Sequence, residues 1–196
     1  MSADAPSGEA AGRPPLYVNP IPPETPFGPH NAAEVVGFTC HRSDRTEQQY
    51  EEDVRVWITD GGEGGALAHV RRGEAEVWLY HNEPGELIAY TSLGEKRIIL
   101  GDNGEEVWAD AIPYLSLHTR ARQAGVSPEQ RYGPRIFGGI LEEIVRRSRH
   151  EYITLEVDPA NPAIKLYTDF GFQEIYRVPD GARTWIIMAR RNRLPI

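Results

Sequence analysis

Cysteine is almost absent from this chain. Its single representative, Cys40, excludes an internal disulfide and gives no sign of an oxidising compartment. No Cys-His pattern accompanies it, so it reads as a small, half-buried hydrophobe beside Phe38 and not as a nucleophile. Lysine is nearly as scarce, with Lys96 and Lys165 the two in the chain, and the formal net charge is −8. That balance argues against a nucleic-acid partner and favours attraction of a cationic amine as a long-range tendency. No apolar run approaches the roughly 20 residues of a membrane span. A basic-then-apolar leader is also missing, so a cytoplasmic protein with no membrane partner is expected. The six histidines show no pair at metal-ligand spacing and no Cys/His cluster exists, which leaves no metal site to expect. A glycine-rich run at 61–65 lacks a following Gly-Lys-Ser/Thr, so it is a linker and not a phosphate loop.

What is present suits one globular domain. At 196 residues, with 40% hydrophobic residues and four tryptophans, the chain can bury a sizeable core. Residues 1–33 are dense in proline and show little periodicity, and they read as a partly disordered N-terminal arm. Within it, residues 1–14 are expected to be loose. Leu16, Tyr17, Val18, Ile21 and Phe27 let residues 15–33 lie irregularly on the domain at 34–196.

Along that domain the pattern alternates between strand and helix. Residues 35–41 are a short β-rich run, and 46–59 place Tyr50, Val54, Trp57 and Ile58 on one helical face. Residues 66–72 allow a second short helix. Residues 76–81 and 86–93 flank an Asn-Glu-Pro-Gly turn as a hairpin, with 97–100 extending the sheet. Residues 107–118 make a long strand whose Pro113 predicts an edge or a bulge.

The most informative stretch is 130–172. Pro134 suits a first helical turn, and Ile136, Phe137, Ile140, Leu141, Ile144 and Val145 recur at helical spacing. Ile153, Leu155 and Val157 alternate with Tyr152, Thr154 and Glu156 as a strand does. Asn161-Pro162 is a cap-plus-first-turn pair, and Gly171 can end the helix that follows. A last hairpin, 172–178 and 183–189, turns at Pro179-Asp180-Gly181. The pattern alone gives an α/β fold with a mixed sheet flanked by helices.

The stretch also resembles the GNAT (GCN5-related N-acetyltransferase) family. Gln130-Arg131-Tyr132-Gly133-Pro134-Arg135 supplies the first two fixed points of that family's Gln/Arg-x-x-Gly-x-Gly/Ala acetyl-CoA loop, with Arg135 in place of the second small residue. Asn161, Ala163, Leu166, Tyr167, Gly171 and Phe172 follow its later signature. The frame from Ala163 to Phe172 is ungapped, and Asn161 lies one residue closer to Ala163 than usual. The motifs cover 130–172, and the element order covers about 34–190.

The resemblance implies a GNAT-like, mostly antiparallel sheet, acetyl-CoA as co-substrate and direct attack of an amine on the thioester. Residues 130–135 would cradle the pyrophosphate on a helix N-terminus, where unpaired N–H groups and the helix dipole favour anions. Gly133 would let the backbone approach, and Arg131 and Arg135 would add charge-assisted bonds. Leu115 or Leu117, after a bulge near Pro113, would donate a backbone N–H to the thioester carbonyl. Tyr167 would protonate the leaving thiolate, a role that suits a phenol because it stays protonated at neutral pH. Asn161 is a pantetheine contact in this reading, whereas Asn before Pro at a helix start is adequately explained as an N-cap.

No general base stands out. Asp110 lies one residue from the place where many relatives carry a glutamate, and His118 follows the bulge with a suitable intrinsic pKa. Gly138 and Gly139, costly inside a helix, point either to close approach of a ligand or to tight packing. The acceptor expected is a small-molecule amine, and a homodimer is compatible with the reading. Two alternatives stand beside it: another acyl donor or reaction on the same fold, and a binding protein that has lost the chemistry.

Overall fold

The structure, a computed structural model, describes residues 17–20, 38–39, 49, 72–81, 87–101, 104–118 and 132–192. The expected loose segment at 1–14, most of the helices at 46–59 and 66–72, the turn at 82–85, Cys40, Gln130 and Arg131 lie outside the described residues.

Among the described residues the elements follow in the order β1 (Tyr17–Pro20), β2 (Phe38–Thr39), β3 (Ala75–His81), β4 (Leu87–Leu100), β5 (Glu105–His118), α1 (Tyr132–Arg147), β6 (Tyr152–Val157), α2 (Ile164–Asp169), β7 (Gln173–Asp180) and β8 (Arg183–Arg191). They form one sheet ordered β1-β3-β4-β5-β6-β8-β7, with β2 attached to β5 off that path. Every pairing is antiparallel except β5 with β6. This is the mixed, mostly antiparallel sheet that the sequence pattern and the resemblance predict.

Two local expectations change. The first strand of the sheet is not the run at 35–41 but β1, inside the proline-dense arm that composition reads as irregular. It pairs with β3 from Tyr17 opposite His81 to Pro20 opposite Trp78. A proline is tolerated there because an edge strand and a strand end both leave one N–H side unused. Of the 35–41 run, Phe38 and Thr39 form a strand among the described residues, and they pair with the far end of β5. The stretches 86–93 and 97–100 are likewise one strand, β4. It passes through Gly94, where an added Cβ would sit 2.8 Å from the carbonyl oxygen of Glu74, so that only glycine fits the approach.

The core lies between one sheet face and the helices. Ile136, Phe137, Ile140, Leu141 and Ile144 of α1 are buried against Ile153, Leu155 and Val157 of β6, with Trp78 and Tyr80 of β3 in the same cluster. A smaller cluster on the opposite face joins Ile98, Ala109, Ile187 and Ala189. Gly133 and Pro134 fall in the first turn of α1, where backbone donors lack intrahelical partners and a missing N–H costs nothing. Arg147, in the last turn, bonds Glu76 and lies 4.8 Å over the Trp78 ring, tying the helix to β3. At the end of α2, Gly171 adopts φ +85° and the Phe172 N–H reaches back to the Tyr167 carbonyl at 3.0 Å. That left-handed stop turns the chain directly into β7.

Candidate active site

The register of β5 creates the site. Ser92 pairs with Tyr114 and Gly94 with Ala111, so Ile112 and Pro113 together oppose the single residue Leu93. This is a β-bulge at the proline, and a bulge bends its strand and redirects the side chains that follow. Pairing with β6 stops at the same point. Ala109 to Ile112 run parallel to Tyr152 to Leu155, and β5 then continues to His118 without β6. Its last two residues pair instead with β2. The strands therefore part at Ile112, and Pro113, Tyr114 and Leu115 form a stretch that neither β6 nor β2 covers among the described residues.

A cavity of about 390 Å³ opens there. Ala111 to Leu115 of β5 and Thr154 to Val157 of β6 flank it, Phe137 of α1 and Tyr167 of α2 stand on the helix side, and Tyr90, Glu95, Lys96, Asp158, Asn161 and Trp185 complete its lining. Tyr167 is 9% exposed. Its ring is held against Phe137 with centroids 5.1 Å apart, and Phe172 lies 6.4 Å away. The frame that predicts this tyrosine supplies its support as well: Gly171 makes the turn that brings Phe172 under the ring.

The loop from β6 to α2 is fixed by its own polar groups. The Asp158 side chain accepts from the Ala160 N–H at 2.8 Å, and Asn161 Oδ1 accepts from the Ala163 N–H at 2.9 Å. Asn161 thus closes the turn before α2 and lines the cavity, but it is not the helix cap that the sequence predicts: the N-cap of α2 is Ala163, with no side-chain cap bond. Glu156 of β6 pairs with Lys96 of β4. Burial pushes the Lys96 ammonium below its ordinary pKa, although the carboxylate beside it favours the charged form.

The remaining predicted site residues divide between the cavity and other places. Leu115 lines the cavity, whereas Leu117 pairs with Thr39 of β2 and is not part of the lining. Tyr132, Gly133 and Arg135 occupy the N-terminal turn of α1. Tyr132 is buried, the Arg135 guanidinium lies 5.8 Å over its ring, and a Cβ on Gly133 would meet only Leu117 Cδ2 at 3.6 Å. His118 closes β5 opposite Phe38, and its imidazole lies outside the described residues.

Asp110 is at the closed end of the β5–β6 junction, paired with Ile153 and away from the cavity lining. Its carboxylate accepts from the Ser148 hydroxyl just beyond α1, the same Ser148 oxygen accepts from the His150 N–H at 2.9 Å, and His150 Nε2 lies 3.0 Å from Glu95. Burial raises the Asp110 pKa, and the Ser148 bond offsets part of that shift. Gly138 faces the Phe170 ring, where an added Cβ would make ordinary contact at 3.5 Å, and Gly139 faces open space.

Sequence reasoning passed over Glu156, Lys96, Asp158 and Trp185. The outward parity of Glu156 on β6, two residues before the loop that carries Asn161, is the one signal that points to it. Among the described residues no three His, Cys, Asp or Glu side chains gather as a metal site, and no helix is long and apolar enough to cross a membrane.

Solved structures share this architecture over almost the whole chain. A bacterial toxin aligns over 91% of this chain and 92% of its own, with a TM-score of 0.60 and 14% identity. The ribosomal-protein-S18-alanine N-acetyltransferase from Escherichia coli aligns over 92% and 96%, with a TM-score of 0.51 and 14% identity. AtaTR bound with acetyl-CoA aligns over 90% and 94%, with a TM-score of 0.57 and 9% identity. No protein-family model matches the sequence, and no curated relative does.

Proposed function

We propose that this chain, whose fold is that of the GNAT acetyltransferases, is an acyl-CoA-dependent N-acyltransferase that moves an acetyl group from acetyl-CoA to the amine of a small molecule. The observation that carries the reading is the parting of β5 and β6 at Ile112, with Tyr167 standing over the opening. Backbone groups on a strand edge must find partners, and an extended amide chain such as pantetheine satisfies them as a neighbouring strand would. The residues present fit such a co-substrate: a stretch of β5 at 113–115 that pairs with β4 on one side and is not covered by β6 on the other, a helix N-terminus at Tyr132 suited to phosphate, and Asn161 at the rim.

Each chemical task then falls to a residue of this chain. Leu115, past the bulge, offers its N–H to the thioester carbonyl and stabilises the charge that grows on oxygen. Glu156 takes the proton that the acceptor ammonium must lose before attack. Tyr167 gives a proton to the departing thiolate, and the nitrogen loses two protons in becoming an amide, the first to Glu156 and the second to water, from which Tyr167 is reprotonated. The acid and the base stand on opposite walls of one cavity. Glu95, Glu156 and Asp158 with the rings of Tyr90, Tyr114 and Trp185 suit an alkyl ammonium, because carboxylates and aromatic faces both attract cations.

Arg135 motivates a second reading, an acyl donor other than acetyl-CoA, since a guanidinium packed on Tyr132 occupies the turn where a small residue is usual. One experiment separates the two. The full chain is heated with and without acetyl-CoA, then with longer and charged acyl-CoA esters, and CoA release is followed across a panel of small amines. At 100 times its dissociation constant a ligand stabilises by about 2.7 kcal/mol, a plain shift in melting temperature. A shift and turnover with acetyl-CoA support the first reading. A shift with another ester alone supports the second, and no shift with any ester contradicts both.

A further inference from the structure

Lys96 holds a position that an acceptor would be expected to take. Its side chain, anchored on β4, enters the cavity that Tyr167 lines and meets the Glu156 carboxylate. The group at its tip is a primary alkyl ammonium, chemically the acceptor this cavity suits. We infer that Lys96 is a pseudo-substrate and that the chain acetylates it on Nζ when acetyl-CoA is bound and no free amine is present. The inference rests on the acyltransfer reading of the cavity.

Three features favour the step. The amine is tethered beside the carboxylate assigned as its base, so attack is unimolecular and gains the advantage of proximity. Burial enlarges the neutral fraction that can attack. The lysine is 42% exposed on its side chain, so its ammonium is not sealed against Glu156. In the step the ammonium gives one proton to Glu156 and Nζ bonds the acyl carbon. The carbon–sulfur bond breaks, a second proton is lost from nitrogen to water, and the thiolate takes a proton from Tyr167. The product is a neutral amide that can no longer pair with Glu156 and that fills part of the cavity, so the modified chain should lose activity towards free amines.

The chain is unusually easy to test, because Lys165 is its only other lysine and lies on α2, 81% exposed on its side chain and paired with Asp169. Spontaneous acetylation would favour that exposed site and the amino terminus. The full chain is incubated with acetyl-CoA alone and followed by intact mass and peptide mapping. The expected result is one acetyl group, on Lys96, absent from Lys96→Arg, slowed at least about tenfold in Tyr167→Phe, and suppressed by added amine substrate. Acetyl on Lys165 or the amino terminus instead, or an equal rate in Tyr167→Phe, would overturn the inference as spontaneous chemistry. No acetylation while free amines are turned over overturns it and leaves the enzyme reading intact. No acetylation, no turnover and no thermal shift with acetyl-CoA overturn both.

Discussion

The two ends of the β5–β6 junction use the same strands for opposite purposes. Before Ile112 the strands pair, and polar groups at their margin meet one another: Asp110 accepts from Ser148, the Ser148 oxygen accepts from the His150 N–H, and the His150 ring lies beside Glu95, which also reaches the cavity. After Ile112 the strands part, and acidic and aromatic side chains line an open cavity. One inserted residue on β5 separates the two regimes. Residues of similar chemistry therefore differ in use according to which side of the bulge they occupy. Asp110 and Glu156 are both carboxylates, yet the first accepts from Ser148 away from the cavity and the second lines the cavity, where it pairs with Lys96.

The largest expected effect tests the open end. Tyr167→Phe keeps the ring packed on Phe137 and Phe172 and removes only the hydroxyl, so the melting temperature should stay near that of the parent. If the hydroxyl donates to the leaving thiolate, kcat should fall by roughly 10²–10⁴ in the CoA-release assay. Acetyl-CoA affinity should barely change, because the bond strengthens only as charge develops on sulfur. Parent-like turnover would reduce the tyrosine to a packing residue.

The closed end should respond in the opposite way. Asp110→Asn should leave kcat and its pH profile near those of the parent and change the pH dependence of stability instead. Burial raises the Asp110 pKa in the folded chain above its unfolded value of about 3.9. The folded state therefore keeps its proton longer, and this group's contribution to stability falls as pH rises through the window between the two values. The asparagine variant should lose that decline in a series of melts through the mildly acidic range. A lost or shifted catalytic limb would place Asp110 in the chemistry after all.

How much of this contrast the sequence discloses depends on whether its cause is local. The stripe from Ile136 to Val145 and the alternation from Ile153 to Val157 reveal α1 and β6 because helix and strand periods are properties of contiguous residues. Tyr167 and Gly171 are legible for the same reason: one short frame holds the ring and the stop, whereas the helix begins two residues later than an Asn161 cap would have it. Pro113 marks the bulge, though not its partner Leu93. The pairing of Glu156 with Lys96 is invisible, since it joins strands sixty residues apart, and the bulge on β5 fixes which side chains share the cavity. The position of Asp110 outside the cavity lining is not legible, because nearness in sequence to an expected glutamate does not fix the face and the end of the strand on which it falls. β1 hides in the arm because proline density outweighs the short β-forming run Tyr17-Val18.

The central claim is that the gap opened by the β5 bulge receives the acyl-CoA. A crystal structure of the full chain with CoA or a non-hydrolysable acetyl-CoA analogue tests it most directly. The account predicts the pantetheine arm between Pro113–Leu115 and the end of β6, and the sulfur within hydrogen-bond reach of the Tyr167 hydroxyl, directly or through one water. It also predicts the phosphates at the N-terminal turn of α1. A ligand seated instead in the separate cleft between Asp158 and Arg183, or anywhere that leaves the gap between β5 and β6 empty, would contradict it.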